Sequence, residues 1–266
     1  ANQIQQPNSK SLAQAYSGHQ FGHFNPNLGD GRARLIGEML DDKGNLKDLH
    51  LKGSGPTQYS RRGDGFATLG SCIREYIVSE AFHSLNIPTT RSLAVITTGD
   101  SVFREEQFQG AILVRVASSH IRIGTFEHFA SKGDPESIKK LADFAIARHY
   151  KNINESSHSN KYLSFFESVS RRQIQLILQW MKYGFIHGVM NTDNTTVSGE
   201  TIDFGPCAFM EEFNFNQVFS SIDRDGRYAY GNQPSILFWN LSNLAQCLLA
   251  LFDKDLESSK KLASEI

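Results

Sequence analysis

The chain has 266 residues, with 27 Lys and Arg against 28 Asp and Glu, and a formal net charge of −1. Hydrophobic content of 39% and charged content of 21% describe a folded globular protein and exclude a disordered one. The neutral balance supplies no basic field for nucleic acid or an anionic membrane surface, and the three scattered cysteines (Cys72, Cys207, Cys247) exclude a disulfide scaffold or a zinc site and fit a reducing compartment.

Residues 1–17 read as an irregular, polar lead-in without the apolar core of a signal peptide. The chain opens without Met and reads as a piece of a longer protein. Gly29 and Gly31 flank Asp30 and predict a tight turn with exposed backbone N–H groups. Residues 32–40 and 48–52 predict strands, the second ending in Lys52, followed by a glycine-rich loop over 53–65. From Thr68 the period becomes 3.6. Leu69, Cys72, Ile73, Tyr76, Ile77, Ala81 and Leu85 form one apolar stripe, which predicts a helix over 67–85 with Glu75 off the stripe's centre. Residues 93–98 and 111–116 predict strands, with a turn at Gly99-Asp100.

Helices follow: 135–150, capped by Asp134; 162–185, after a polar loop at 152–160; and a strongly apolar one over 236–252. Its densest run, 247–252, is too short to span a bilayer. A small hairpin is predicted from 195–197 and 201–203 around Ser198-Gly199. Strands with one helix, then mostly helices, predict an α+β class and a bilobal, kinase-like plan, the boundary falling near 117–135. On that plan residues 1–130 are expected to form the strand-rich lobe, the one that holds phosphates in kinase-like folds. Residues 131–266 are expected to form the helical lobe, which in such folds carries the catalytic and metal-binding loop, incomplete here at its end.

The stretch from His187 to Gly205 concentrates the chemistry. A kinase-like loop puts a base Asp two residues after a His, an Asn five residues after that Asp, and an Asp-Phe-Gly beyond. Asn194 falls on the Asn position and Asp203 heads the Asp-Phe-Gly, but the base position holds Val189; the nearest carboxylate is Asp193. Two oxygen ligands with phosphates and water suit Mg²⁺. The plainer account is a Thr-Asp-Asn turn, which Asp203, ending an apolar strand, resists. His187 reads as a structural residue that fixes the loop.

Lys52 and Glu75 have the spacing of a strand lysine held by a helix glutamate, against the plainer reading of an exposed strand-end lysine. Gly29-Asp30-Gly31-Arg32 and Gly63-Asp64-Gly65 suit phosphates or ordinary turns. Arg115, in an apolar strand, needs an anion: an internal salt bridge, which the sequence by itself favours, or a phosphate clamped together with Arg122.

Longer stretches carry a resemblance. Tyr16-Ser-Gly-His-Gln-Phe-Gly22, Leu28-Gly-Asp-Gly-Arg-Ala33, Leu51-Lys-Gly-Ser-Gly55, Tyr59-Ser-Arg-Arg-Gly-Asp-Gly65, Ile87-Pro-Thr-Thr-Arg91, His187-Gly-Val-Met-Asn-Thr-Asp-Asn194, Ile202-Asp-Phe-Gly-Pro206 and Gly226-Arg-Tyr-Ala-Tyr230 resemble the selenoprotein O family of kinase-fold pseudokinases, over nearly all of 11–252. That resemblance implies ATP bound in a flipped orientation and AMP, rather than phosphate, transferred to Ser, Thr or Tyr hydroxyls of proteins. Mg²⁺ is the implied metal, with Mn²⁺ as the alternative. ATP and protein substrates are the implied partners, without nucleic acid or membrane, in the cytoplasm or, for a eukaryotic source, the mitochondrion. Residue by residue it implies that Gly29, Gly31, Arg32, Lys52, Asp64 and Gly65 bind the nucleotide and that Arg115 and Arg122 grip its distal phosphate. It makes Asp193 the proton acceptor, Asn194 and Asp203 the metal ligands, with Asp203 also facing ATP, and Glu75 the lysine's partner. Family members run further at both ends, and some carry a redox-active Cys or selenocysteine near the far end. An ordinary phosphotransferase and a non-catalytic nucleotide-binding scaffold remain the alternatives.

Overall fold

The computed structural model describes residues 10–153, 158 and 160–266. Most of the expected lead-in and part of the 152–160 loop lie outside the described residues. The chain is mixed α and β. A two-stranded hairpin, β1 (Gly18–Gln20) with β2 (His23–Asn25), precedes a five-stranded antiparallel sheet of β3 (Ala33–Leu40), β4 (Leu46–Lys52), β5 (Ala67–Thr68), β6 (Arg91–Phe103) and β7 (Gln107–Ala117). β7 is central: β6 runs along one edge, while β4 and β5 share the other. The register puts His50 opposite Arg115 and Lys52 opposite Leu113. Because side chains alternate, His50, Lys52 and Arg115 share one face of the sheet.

The turn expected at Gly99-Asp100 is a register shift inside β6; the hairpin closes at 104–106, where Arg104 N–H donates to the Glu106 carbonyl. Gly99, at φ +82°, absorbs the irregularity without ending the strand.

Helix α1 (Leu69–Ser84) is capped by the Thr68 hydroxyl, which accepts from Ser71 N–H. Its buried face corrects the apolar stripe. Cys72, Glu75, Ser79 and Phe82 point inward, whereas Ile73, Tyr76 and Ile77 are exposed. Those four positions also follow a 3.6-residue repeat, and the helix turns that face inward because Glu75 has two cations to meet there.

The helical part comprises α2 (Ile123–Ala130), α3 (Pro135–His149), α4 (Lys161–Tyr183), α5 (Gln233–Phe252) and α6 (Leu256–Ser264), with short pairs β8 (Phe185–Ile186) and β9 (Ala208–Phe209). Asp134 caps α3 as expected, accepting from Ser137 N–H at 3.0 Å. The Asn160 side chain caps α4, and Gly184, at φ +66°, ends it. Neither α2 nor α6 was legible in the sequence. Phe82, Phe126, Phe165, Leu176, Phe185, Phe204, Leu244 and Leu248 lie in one large core, and Ala67, Cys72, Ala111 and Leu113 form a smaller one under the sheet.

Two further expectations change. Residues 195–203 do not form a hairpin: Thr196 bridges Arg122 and Thr201 bridges Thr89. The Thr196 hydroxyl bonds both the carbonyl and the N–H of Glu200, so it closes the turn and leaves the backbone to pair with other segments. Tyr230–Phe252 is also longer and more apolar (mean hydropathy 1.4) than the 247–252 run suggested, long and apolar enough to cross a membrane by length and composition alone, a test that buried core helices also pass. Half of that window is buried within the molecule, where α5 packs on α2, α4 and α6.

α2 is held against the segment before β1. Ser17 N–H donates to the Gly124 carbonyl at 2.9 Å, and a Cβ on Gly124 would collide with the Ser17 carbonyl oxygen. Backbone cannot swing away as a side-chain tip would. Gly124→Ala is expected to cost about 2–3 kcal/mol, read as a lower denaturant midpoint at unchanged slope.

Candidate active site

Lys52 Nζ lies 2.5 Å from Glu75 Oε2 and 3.7 Å from Asp203 Oδ1, so the expected strand–helix pair forms. Arg115, 1% exposed, donates through Nε (2.9 Å) and Nη2 to Glu75 Oε1, and its Nη2 reaches Asp203 Oδ1 at 2.8 Å. Arg122, at the N-cap of α2, donates from Nη1 to Asp203 Oδ2 at 2.6 Å and to the Asp193 carbonyl at 2.7 Å. Three cations thus share two carboxylates, and the internal salt bridge is the arrangement Arg115 adopts. Burial pushes Asp203 up, but Arg122, Arg115 and Lys52 outweigh it and hold the carboxyl well below its ordinary range. Glu75 is likewise raised by burial and lowered further by Arg115 and Lys52, ending below its usual value.

Asp203 sits at φ +61°, a left-handed conformation that a short polar side chain tolerates. The preceding carbonyl is fixed by His187. Its Nε2–H donates to Ile202 O at 2.8 Å, and its ring stacks on Trp180 at 5.3 Å. His187 is fully buried and shaped to hold the loop, as its sequence reading expects.

Asp193 and Asn194 lie in a short 3-10 turn, Thr192–Asn194. Asp193 Oδ2 accepts from Gln20 Nε2 at 3.1 Å; Oδ1 is buried without a hydrogen-bond partner. Burial raises this carboxyl to about 6 against the pull of Gln20 and Arg122. Asn194 Nδ2 donates to the Val189 carbonyl at 2.8 Å, which leaves its Oδ1 as the free acceptor. Val189 itself presents only an apolar side chain to the cleft.

A cleft of about 960 Å³ unites these groups. Gly29, Gly31, Arg32, Lys52, Asp64, Gly65, Arg115, Arg122, Asp193, Asn194 and Asp203 all line it, and Glu75 lies behind Lys52. Two expected details change. The Gly29–Gly31 turn is not an open row of N–H groups: Asp30 N–H donates to Gln14 O, Gly31 N–H to Gly29 O, and Cβ atoms on either glycine would strike Tyr59. Those glycines serve close packing of the 53–65 loop. Asp64 is exposed and held by Arg104 at 2.7 and 3.1 Å, so its charge is offset at the cleft mouth.

Sequence reasoning missed Asp30, His50, Gln20, Tyr16 and Arg104, all of which line the cleft. Asp30 is 2% exposed, accepts from Gln14 N–H at 3.0 Å and lies 3.2 Å from His50 Nε2. Arg122 lies over the Tyr16 ring at 4.6 Å. Alternation along β4 (His50, Lys52) was the available signal for His50; Asp30 was hidden by its turn-like neighbours.

Among the described residues, no group of three or more His, Cys, Asp or Glu gathers into a full protein cage for a metal. Asn194 Oδ1 and the Asp203 carboxylate, whose oxygens keep lone pairs beyond their arginine bonds, offer a sparse all-oxygen set. Such a set fits Mg²⁺ or Mn²⁺ completed by phosphate and water. The cysteines are buried, which pushes the Cys207 thiol up to about 11 and Cys247 up to about 12.

Burial lowers four histidines: His149 to about 4, His120 well below its ordinary value, and His128 and His187. Each binds its proton less readily folded than unfolded. The stability they leave intact is full above about pH 6.5 and is lost as pH falls toward the folded value. The raised Asp193 and Glu200 act in the opposite sense. We expect thermal midpoints to decline from pH 7 to pH 5, and His149→Gln to flatten that slope by up to about 1 kcal/mol per pH unit. An equal slope in both proteins would contradict this.

Comparison with known proteins settles the lineage. A family model described as protein adenylyltransferase SelO matches residues 2–264. The chain belongs to this family. It is 57% identical over 260 residues to a Rhizobium rhizogenes protein, 59% over 254 to one from Bacillus cereus (strain G9842), and 59% over 258 to one from Maridesulfovibrio salexigens. All three are named protein nucleotidyltransferase YdiU. The matches cover 98%, 96% and 97% of this chain but 51%, 51% and 52% of those proteins, so the chain spans about half the length of the curated relatives it matches.

Proposed function

We propose that this chain carries the nucleotide site of a protein adenylyltransferase, laid out on a bilobal, kinase-like plan. In it residues 1–130 supply most phosphate contacts, and 131–266 supply the acceptor base and metal ligands. The observation that carries the reading is the convergence of Lys52, Arg115 and Arg122 on Asp203, beside Asp193 with its unpartnered Oδ1, in one cleft. Such a concentration of cations suits a triphosphate. Arg122 Nε is a buried donor without a partner, which suits a phosphate oxygen.

The chemistry divides among these groups. A Ser, Thr or Tyr hydroxyl of the protein substrate gives its proton to Asp193 as its oxygen bonds to the α-phosphorus of ATP. The bond from that phosphorus to its bridging oxygen breaks and pyrophosphate departs. Lys52, Arg115 and Arg122 offset the charge that builds on the leaving group, and Glu75 keeps Lys52 and Arg115 in place. Mg²⁺ or Mn²⁺ held by Asn194 and Asp203 would add electrostatic stabilisation at the phosphates. Gly29, Gly31, Arg32, Asp64 and Gly65 shape the wall along which the nucleotide lies.

The formed Lys52–Glu75 pair also favours a second reading, an ordinary phosphotransferase. Val189 at the usual base position speaks against it. The test is incubation with Mg²⁺ and ATP labelled at the α or the γ phosphate. Protein labelled from the α position is the expected result; label from γ alone would establish the phosphotransferase. ATP-dependent thermal stabilisation without transfer of either label would leave a nucleotide-binding scaffold.

A further inference from the structure

The stretch Gly18-His-Gln-Phe-Gly22 has no role in the chemistry above, yet its three central residues are bound in turn to Thr192, Asp193 and Asn191. β1 and β2 form a tight hairpin whose turn, Phe21 at φ +51° and Gly22 at φ +83°, brings the strand back on itself. Alternation puts Gly18 and Gln20 on one face and His19 on the other.

His19, Gln20 and Phe21 each take one partner on the loop. His19 N–H donates to Thr192 Oγ1 at 2.8 Å, and Glu127 ties both together, with His19 Nδ1 at 2.5 Å and the Thr192 hydroxyl at 2.6 Å. Phe21 N–H donates to Asn191 Oδ1 at 3.2 Å and to the Tyr228 hydroxyl at 3.0 Å. Between them, Gln20 Nε2 donates to Asp193 Oδ2 at 3.1 Å. Gly18 completes the fit, because a Cβ there would lie 2.6 Å from Asp193 Oδ1.

We propose that Gln20 is a positioning residue for AMP transfer, holding the Asp193 carboxylate by Oδ2 in a single orientation at the cleft wall. This rests on the adenylyltransferase reading. The physical reason is an asymmetry between the two oxygens. A carboxylate free to rotate about its terminal bond offers either oxygen in a spread of directions, whereas one oxygen tied to an amide leaves the other at a fixed place. The amide is suited to this. It donates without a charge of its own, so it does not compete with the arginines for the phosphates, and its backbone is anchored on both sides by His19 and Phe21. Gln20 itself is half-buried and lines the cleft, within reach of an incoming substrate.

The test uses Gln20→Met, which keeps length and volume and loses the donor, with Asp193→Asn and the double variant. AMP transfer from α-labelled ATP gives kcat and the KM for ATP; thermal unfolding gives stability. Gln20→Met is expected to lower kcat by about 10- to 100-fold with KM within about twofold. It should add no further loss in the Asp193→Asn background, and the Tm changes of the two substitutions should be non-additive. A kcat within twofold of the unmodified chain overturns the role of Gln20 while leaving the transferase reading intact. So does a loss confined to KM, which would make Gln20 a nucleotide contact. Absence of AMP transfer by the unmodified chain overturns the underlying reading and this role with it. If Gln20→Met unfolds, Gln20→Asn, which keeps a shortened donor, takes its place; it should lose kcat in part, and unchanged kcat would again overturn the proposal.

Discussion

Asp203→Asn is expected to abolish AMP transfer, by about 1,000-fold or more, and to unfold the protein at lower temperature. Both effects have one origin. Asp203 accepts from Arg115 at 2.8 Å and Arg122 at 2.6 Å and lies 3.7 Å from Lys52. Asparagine keeps the shape and removes the charge, so Lys52 and Arg115 are left to Glu75, and Arg122 to Asp30 at 4.0 Å. Breaking a buried pair from one side costs about 3–5 kcal/mol, because the partner is left uncompensated. Asp203 keeps 22% of its side chain in contact with solvent, so the lower end applies. About 3 kcal/mol corresponds to a fall in Tm of roughly 6–9 °C at this chain length. Activity suffers more, because the same carboxylate is the proposed metal ligand and the anchor of both arginines. Saturating ATP should restore much of the lost Tm, since its phosphates supply the missing negative charge. A variant with undiminished transfer would remove Asp203 from the chemistry; one with unchanged Tm would show that the arginines find other partners.

Asp193→Asn is expected to behave in the opposite way for stability while also losing activity. Removing the proposed proton acceptor should lower kcat by about 100- to 10,000-fold with little change in ATP affinity. The carboxyl is 5% exposed, burial raises it to about 6, and one oxygen has no partner. An acid raised above its unfolded value is destabilising in its ionised form. That cost is absent below about pH 3.8 and complete above about pH 6. At pH 7.5 asparagine relieves it, with Asn Oδ1 still able to accept from Gln20. A gain of about 1–3 kcal/mol is the expected bound, measured by thermal or denaturant unfolding at pH 7.5. At pH 4 the gain should vanish. A stable but inactive protein would match the expectation that a reactive group sits where folding alone would not put it; an active one would sink the assignment of Asp193.

Much of this site was legible in linear order because its chemistry depends on residue type and short spacing. Asp193 and Asn194 are adjacent, Asp203 heads an Asp-Phe-Gly, and Lys52 ends an alternating strand. The capped helices α3 and α4 were legible for a similar reason: side chains a few residues away satisfy their N-terminal N–H groups. Local rules failed where partners came from far along the chain. The apolar stripe of α1 predicted a buried face, and the structure buries the neighbouring one, because Glu75 meets Lys52 and Arg115, 23 and 40 residues away. The 195–203 hairpin was lost to pairing with residues near 89 and 122.

The sequence by itself determined the inventory: which acids, cations and amides the chain owns, which strands and long helices it forms, and the family resemblance that the comparisons uphold. Only the tertiary structure decided who meets whom. It set Asp203 between three cations, buried Asp30 against His50, and brought the β1–β2 hairpin across more than 170 residues of chain to Asp193. Charge–charge and hydrogen-bond energies depend on distances of a few ångströms in a medium of low polarity. Those distances are set by packing of the whole molecule, so no local pattern in the sequence encodes them.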